Sequence, residues 1–218
     1  MESKKKPQWA KRIVYYAIGI LVMTFGVAMA ARADIGVAPG SLLSFAVSQL
    51  TPLTIGQCTS IFHIFFMLLQ LLITRRPSIR LLLQFPMAFV VGFIMDIFYG
   101  WLDFGDQGYV FRVLFLLGGL IVFSFGIRII VGADVLLSPA DGVAISFGQL
   151  FGWPMAKGKL AFDIIITVVT ALLTLIAARK PFMAVGVGTA ICALGTGPFI
   201  GVFTKLFPFF DVGKTKKA

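Results

Sequence analysis

Charge is scarce in this chain: Asp, Glu, Lys and Arg make up 13% of 218 residues, and nine residues in all are acidic. Soluble domains carry about twice that share to cover their surfaces, so a water-soluble globule is excluded. Histidine occurs once and cysteine twice, with Cys58 and Cys192 each alone in an apolar stretch. That spacing excludes a disulfide framework and leaves no zinc set, and both cysteines read as packing residues. HExxH, GxSxG and Walker A arrangements are missing too, so nothing points to an intramembrane enzyme, a metal or a cofactor. The 19 Lys and Arg give a net charge of +10. They lie in the tails and at the ends of apolar runs, which speaks against nucleic acid and for membrane topology.

What the chain has in quantity is apolar length, with 59% hydrophobic residues and a mean hydropathy of +0.98. Six runs are long enough to cross a hydrocarbon core: Ile13 to Ala31, Ile55 to Ile73, Leu81 to Trp101, Val113 to Val131, Leu160 to Ala178 and Phe182 to Phe203. They are apolar on every face and lack the period of two of a β-barrel strand. The expected fold class is therefore an all-α membrane protein with six transmembrane helices. Ala28-Met29-Ala30 resembles a signal-peptidase site, but the first run exceeds a signal peptide's apolar stretch of roughly 7–15 residues, and we read it as a retained span. With the amino terminus inside, Lys4, Lys5, Lys6, Lys11, Arg12, Arg75, Arg76, Arg80, Lys157, Lys159, Lys205, Lys214, Lys216 and Lys217 are cytoplasmic, 14 of the 19 basic residues. Both termini are then expected in the cytoplasm, and Arg179 with Lys180 runs against the pattern.

The chain also repeats itself. A shift of 100 residues aligns Gly19 through Phe66 with Gly119 through Ile166 without a gap, matching Gly26/Gly126, Asp34/Asp134, Pro39/Pro139 and Gln49/Gln149 among others. With small shifts, Arg75-Arg76-Pro77 matches Arg179-Lys180-Pro181, and Gly92 with Phe98 matches Gly197 with Phe203. The organisation read from this is a basic tail over 1–12, a first three-helix repeat over 13–105, a second over 106–206 and a basic tail over 207–218. Three crossings per unit make the second unit enter from the opposite side, so the repeats are expected to be inverted, as in many secondary transporters.

Between the first two crossings of each unit lies a segment too short to span, Pro39 to Leu50 and Pro139 to Leu150. Twelve residues at 1.5 Å make roughly 18 Å, about half the hydrocarbon thickness. Pro suits the first helical position, Ser138 is placed to cap the second copy, and Pro52, Gly152 and Pro154 stop the helices. Each segment reads either as a re-entrant half-helix or as an interfacial helix lying flat; its apolar character on both faces favours the first.

Several residues are candidates for function. Ser41, Ser44 and Ser48 share one face of the first half-helix, as a solute path or as close packing. Asp141 falls in the first turn of the second half-helix, as a cap or as a substrate or proton group. The matched Gln49 and Gln149, with Arg128, complete the candidate substrate-binding set. Arg128 either snorkels to the interface or pairs with Asp134, Asp141 or an anionic solute. Asp34 and Asp134 precede the half-helices and either fix turns through local N–H groups or, if buried, carry a proton or cation. His63, the single histidine, matches Asp163, and the two are candidates for proton or ion coupling. Asp96, near the outer end of its span, is expected to be solvated. In the last run, Gly197 and Gly201 form GxxxG beside Pro198, read as tight packing or as broken-helix backbone.

The segments Ala33-Asp34-Ile35-Gly36-Val37-Ala38-Pro39, Ala133-Asp134 to Val143, and Gly186-Val187-Gly188-Thr189 to Gly201 resemble the YczE/YitT group of bacterial membrane proteins across most of the chain. The resemblance implies a bacterial inner-membrane location and no established substrate. The expected function is a small transporter or facilitator moving an anionic or zwitterionic solute between the repeats. Alternatives are an aquaporin-like channel, without its Asn-Pro-Ala signature, or the solute-capturing subunit of an energy-coupled importer. The expected partners are the lipid bilayer and a small solute, with no nucleic acid; assembly with further copies of the chain is left open.

Overall fold

A computed structural model describes residues 9–105, 108–179 and 184–212, leaving aside the side chains of 155 and 156. Every element among the described residues is helical: α1 (Trp9–Ala33), α2 (Pro39–Leu50), α3 (Ile55–Thr74), α4 (Ile79–Leu82), α5 (Gln84–Trp101), α6 (Tyr109–Ala133), α7 (Pro139–Leu150), α8 (Met155–Ala178), α9 (Val187–Leu206) and a 3-10 turn (Pro208–Phe210). Six helical segments, one of them formed by α4 and α5 together, are long and apolar enough to cross a bilayer, which marks a multi-pass membrane protein. α1 begins four residues ahead of the expected run and takes Lys11 and Arg12 into the helix, so the boundary drawn at residue 12 falls inside it. α9 starts at Val187 instead of Phe182, and residues 180–183, of which 182 and 183 belong to that expected run, lie outside the described ones.

Local chemistry explains the ends. Pro39 and Pro139 occupy the first turns of α2 and α7, where a missing N–H costs nothing. Thr54 opens α3 with a capping box, its hydroxyl accepting from Gln57 N while the Gln57 side chain accepts from Thr54 N. Ser138 does not cap α7 as expected; its side chain makes no capping bond and lines a cavity. α1 and α6 turn off into left-handed residues, Asp34 (φ 53°) and Asp134 (φ 49°), and α3 and α8 into Arg75 (φ 51°) and Arg179 (φ 54°). The sequence repeat thus persists in the backbone: the described non-glycine residues with positive φ are two matched pairs of charged side chains.

α1 and α6 form the closest helix pair of the fold. A methyl group on Gly19 would lie 3.3 Å from the Gly126 carbonyl, and one on Gly119 2.9 Å from the Gly26 carbonyl. Numbers rise along one helix as they fall along the other, so the pair is antiparallel, and the repeated glycines let the backbones touch. Lipid is as apolar as leucine, so this fit of surfaces holds the helices together where the hydrophobic effect contributes little. α2 packs on α3 and α8, while α7 packs on α8 and α3. The centre is filled by Leu42 and Phe45 of α2, Phe66 of α3, Val143 and Ala144 of α7 and Phe162 of α8, all buried.

Candidate functional site

The amino-terminal ends of α2 and α7 meet inside the bundle: a methyl group on Gly40 would lie 3.6 Å from the Cβ of Ala140. Helix amino ends carry unpaired N–H groups and partial positive charge, and away from water these need acceptors. Asp141 is placed in the first turn of α7. Its Oδ1 lies 3.0 Å from Lys159 Nζ, and the same Nζ lies 2.9 Å from Asp163 Oδ1, one turn further along α8. One lysine therefore bridges two carboxylates from two helices, and the three side chains are half-buried or less exposed.

Beside this triad the helices leave a partly open cavity, about 570 Å³ of space when the open solvent at its mouth is included. His63 of α3, Gln84 of α5, and Ser138 and Asp141 at the start of α7 line it, together with apolar side chains of α1, α5 and α6. Gln84 is buried and its Oε1 has no hydrogen-bond partner among the described residues, an arrangement that costs about 1–3 kcal/mol while the acceptor stays unmatched. Gln70 on α3 also keeps an Oε1 without a partner among the described residues, and a methyl on Gly142 would run into its amide, so Gly142 makes room for Gln70 against α7.

His63, Asp141 and Asp163, three of the residues picked from sequence, come together here. Ser41 is half-buried in the first turn of α2 and Ser44 is buried one turn on. The Ser48 hydroxyl donates to the Phe45 carbonyl at 2.8 Å. Gln49 and Gln149 are exposed at the far ends of α2 and α7, about 12 Å along the helix axis from the first turn, and do not join the site. Arg128 is buried but pairs with neither Asp134 nor Asp141; it donates to the Phe207 carbonyl at 3.0 Å and faces Asp211 at 3.2 Å, fastening the carboxyl-terminal segment under α6. Nor, among the described residues, do the side chains of Asp34 and Asp134 serve local N–H groups. Asp134 is held by Arg12 at 2.8 Å and Arg80 at 3.5 Å, and Asp34 by Arg112 at 3.4 Å. Asp96 is half-buried and also tied to the start of α3: it accepts from Thr54 Oγ1 and from Gly56 N, each at 2.7 Å. Among the described residues no three His, Cys, Asp or Glu side chains are grouped to hold a metal ion.

Residues 10–205 match the family model DUF6198, described as a family of unknown function. The chain belongs to the DUF6198 family. This DUF6198 protein is also 24% identical over 213 residues to the uncharacterized protein YyaS of Bacillus subtilis (strain 168), covering 94% of this chain and 98% of that one. No solved structure matches it.

Sequence reasoning missed three of the residues that organise this DUF6198 protein. Lys159 was counted among the basic residues that set topology, although its spacing to Asp163 is that of a helical ion pair. Arg12 and Arg112 are separated by the same 100 residues as the aspartates they hold, and carrying the self-comparison seven residues upstream of Gly19 aligns them.

Proposed function

We propose that this protein is a small transporter or facilitator of a bacterial cell membrane, built of two inverted three-span repeats. The solute path runs between the repeats past α2 and α7, which act as re-entrant half-helices. The observation that carries the reading is the meeting of the α2 and α7 amino ends beside the Lys159-bridged carboxylates. Each half-helix is roughly 18 Å long, buried at its start and exposed at its end, which suits a helix reaching from mid-bundle to one face. Antiparallel α1 and α6, with their matched glycines, support the inverted arrangement, as do the reciprocal pairs Arg12 with Asp134 and Arg112 with Asp34. The motif likeness to the YczE/YitT group and the placement of both termini in the cytoplasm belong to this reading.

The solute class follows from the charges. Arg128, the cation that favoured an anion, is engaged at the end of the bundle. At the site, Asp141 and Asp163 against Lys159 leave one negative charge in excess, which suits a zwitterion with an exposed ammonium better than a plain anion. The test is solute flux in proteoliposomes and ligand-induced thermal stabilisation of purified protein. Asp141→Asn is expected to lower uptake at least about tenfold, and Ser41→Ala to change its concentration dependence. If both variants bind and move the solute as wild type does, the half-helix site is wrong.

A further inference from the structure

The cavity beside α7 is lined by side chains of two kinds. The apolar ones include Ile20 and Met23 of α1, Met87 and Val91 of α5 and Ile130 of α6. The polar ones are Tyr16, His63, Gln84, Ser138 and Asp141. Gln84, one of the lining residues, carries an unmatched acceptor. It is 6% exposed and its Oε1 is without a partner among the described residues, so a donor in the cavity would recover the cost of leaving that acceptor unmatched. Asp141 contributes the fixed charge on the wall, since no Lys or Arg lines the cavity and Lys159 reaches Asp141 from outside it. A carboxylate or phosphate entering here would meet Asp141 with no lining cation. An ammonium would meet Asp141 and Gln84 as acceptors and lay its organic part against methionine and isoleucine.

We infer that this cavity binds a small organic ammonium ion bearing an apolar substituent. The inference rests on the reading above in taking Asp141 as a solute-site residue, and binding is therefore measured apart from flux. Purified protein in lipid nanodiscs is titrated with benzylamine, benzyl alcohol and benzoate at pH 8, where an ordinary histidine is neutral and a primary amine is still largely charged. Benzylamine is expected to bind at least about tenfold more tightly than the other two, and Gln84→Leu and Asp141→Asn each to weaken it about tenfold. Asp141→Asn takes one carboxylate from Lys159, so its folding is checked by thermal unfolding; Gln84→Leu lies outside the ion pair and carries the test alone if the first variant does not fold. Equal or better binding of benzoate or benzyl alcohol, absence of benzylamine binding, or an unchanged affinity in Gln84→Leu overturns the assignment. Counterflow of benzylamine in vesicles is a separate arm: binding without flux leaves the cavity assignment standing and counts against the transport reading.

Discussion

Gly92 on α5 and Gly197 on α9 hold matching places in the two halves of the chain, yet their surroundings differ. A methyl on Gly92 would collide with the Ser60 hydroxyl and the Gly56 carbonyl of α3; one on Gly197, or on Gly201 one turn later, meets nothing within 4 Å. In the first half Asp96 adds a polar tie, binding Thr54 and the Gly56 amide at the start of α3, and the matching position in the second half is Gly201. α3 and α5 are accordingly a closed seam, whereas α8 and α9 make no comparable contact among the described residues and α9 is held chiefly by α6. A helix in lipid gains little from hiding apolar surface, so interlocking small residues and polar ties decide which helices stay together. At these matching places the first half of the chain is clamped and the second is open, and the difference comes down to a few side chains.

The contrast is most severely tested by adding bulk on each side. Gly92→Leu is expected to cost more than about 3 kcal/mol, because its neighbours are the backbone and a short side chain of α3 and cannot give way. It is measured by unfolding in mixed micelles, with cross-linking between α3 and α5 to show the seam parting. If Gly92→Leu unfolds like wild type, the seam is not closed.

The next largest effects compare the reciprocal ion pairs. Arg12 has an almost buried side chain that also donates from Nε to the Ala133 carbonyl at 2.8 Å, while Arg112 is about one-third exposed. Arg12→Ala is expected to destabilise by about 1.5–3 kcal/mol and Arg112→Ala by less than about 1 kcal/mol. Raised salt should narrow the Arg112 effect and leave most of the Arg12 effect in place. Equal losses would show the two ends to be energetically alike.

The smallest expected change is at the open side. Gly197→Leu should alter stability by no more than about 1 kcal/mol, and in the favourable direction, since leucine is the better helix former and nothing stands in its way. A large loss in the same unfolding assay would mean that the α9 face is filled by something, and the comparison would have to be redrawn around that contact.

The spans were readable because lipid asks for about 20 apolar residues and leaves the backbone no choice but helix. The bounds of the short helices α2 and α7 were readable to the residue, Pro39–Leu50 and Pro139–Leu150, because proline marks where a helix can begin and Pro52, Gly152 and Pro154 mark where it cannot continue. Partners across the fold were a different matter. Arg128 meets Asp211, 83 residues away in a stretch read as a basic tail, and Asp134 meets Arg12, 122 residues away; local pattern carries no information at such separations. Lys159 illustrates a second limit. Its position near a helix start has two explanations, topology and pairing, and they differ only in whether a carboxylate from another helix arrives beside it.

The packing of α2 sets a timetable for synthesis. Its neighbours include α8 and the first turn of α7, which are translated about 100 residues later. At roughly 5–20 residues per second, the ribosome takes roughly 5–20 seconds to deliver them. During that interval the α3–α5 seam is complete, while α2 lacks part of its cover and α1 still lacks α6. The half-made protein has to be shielded at the insertion machinery, and the closed seam of the first half, complete before the second is begun, is the part able to wait.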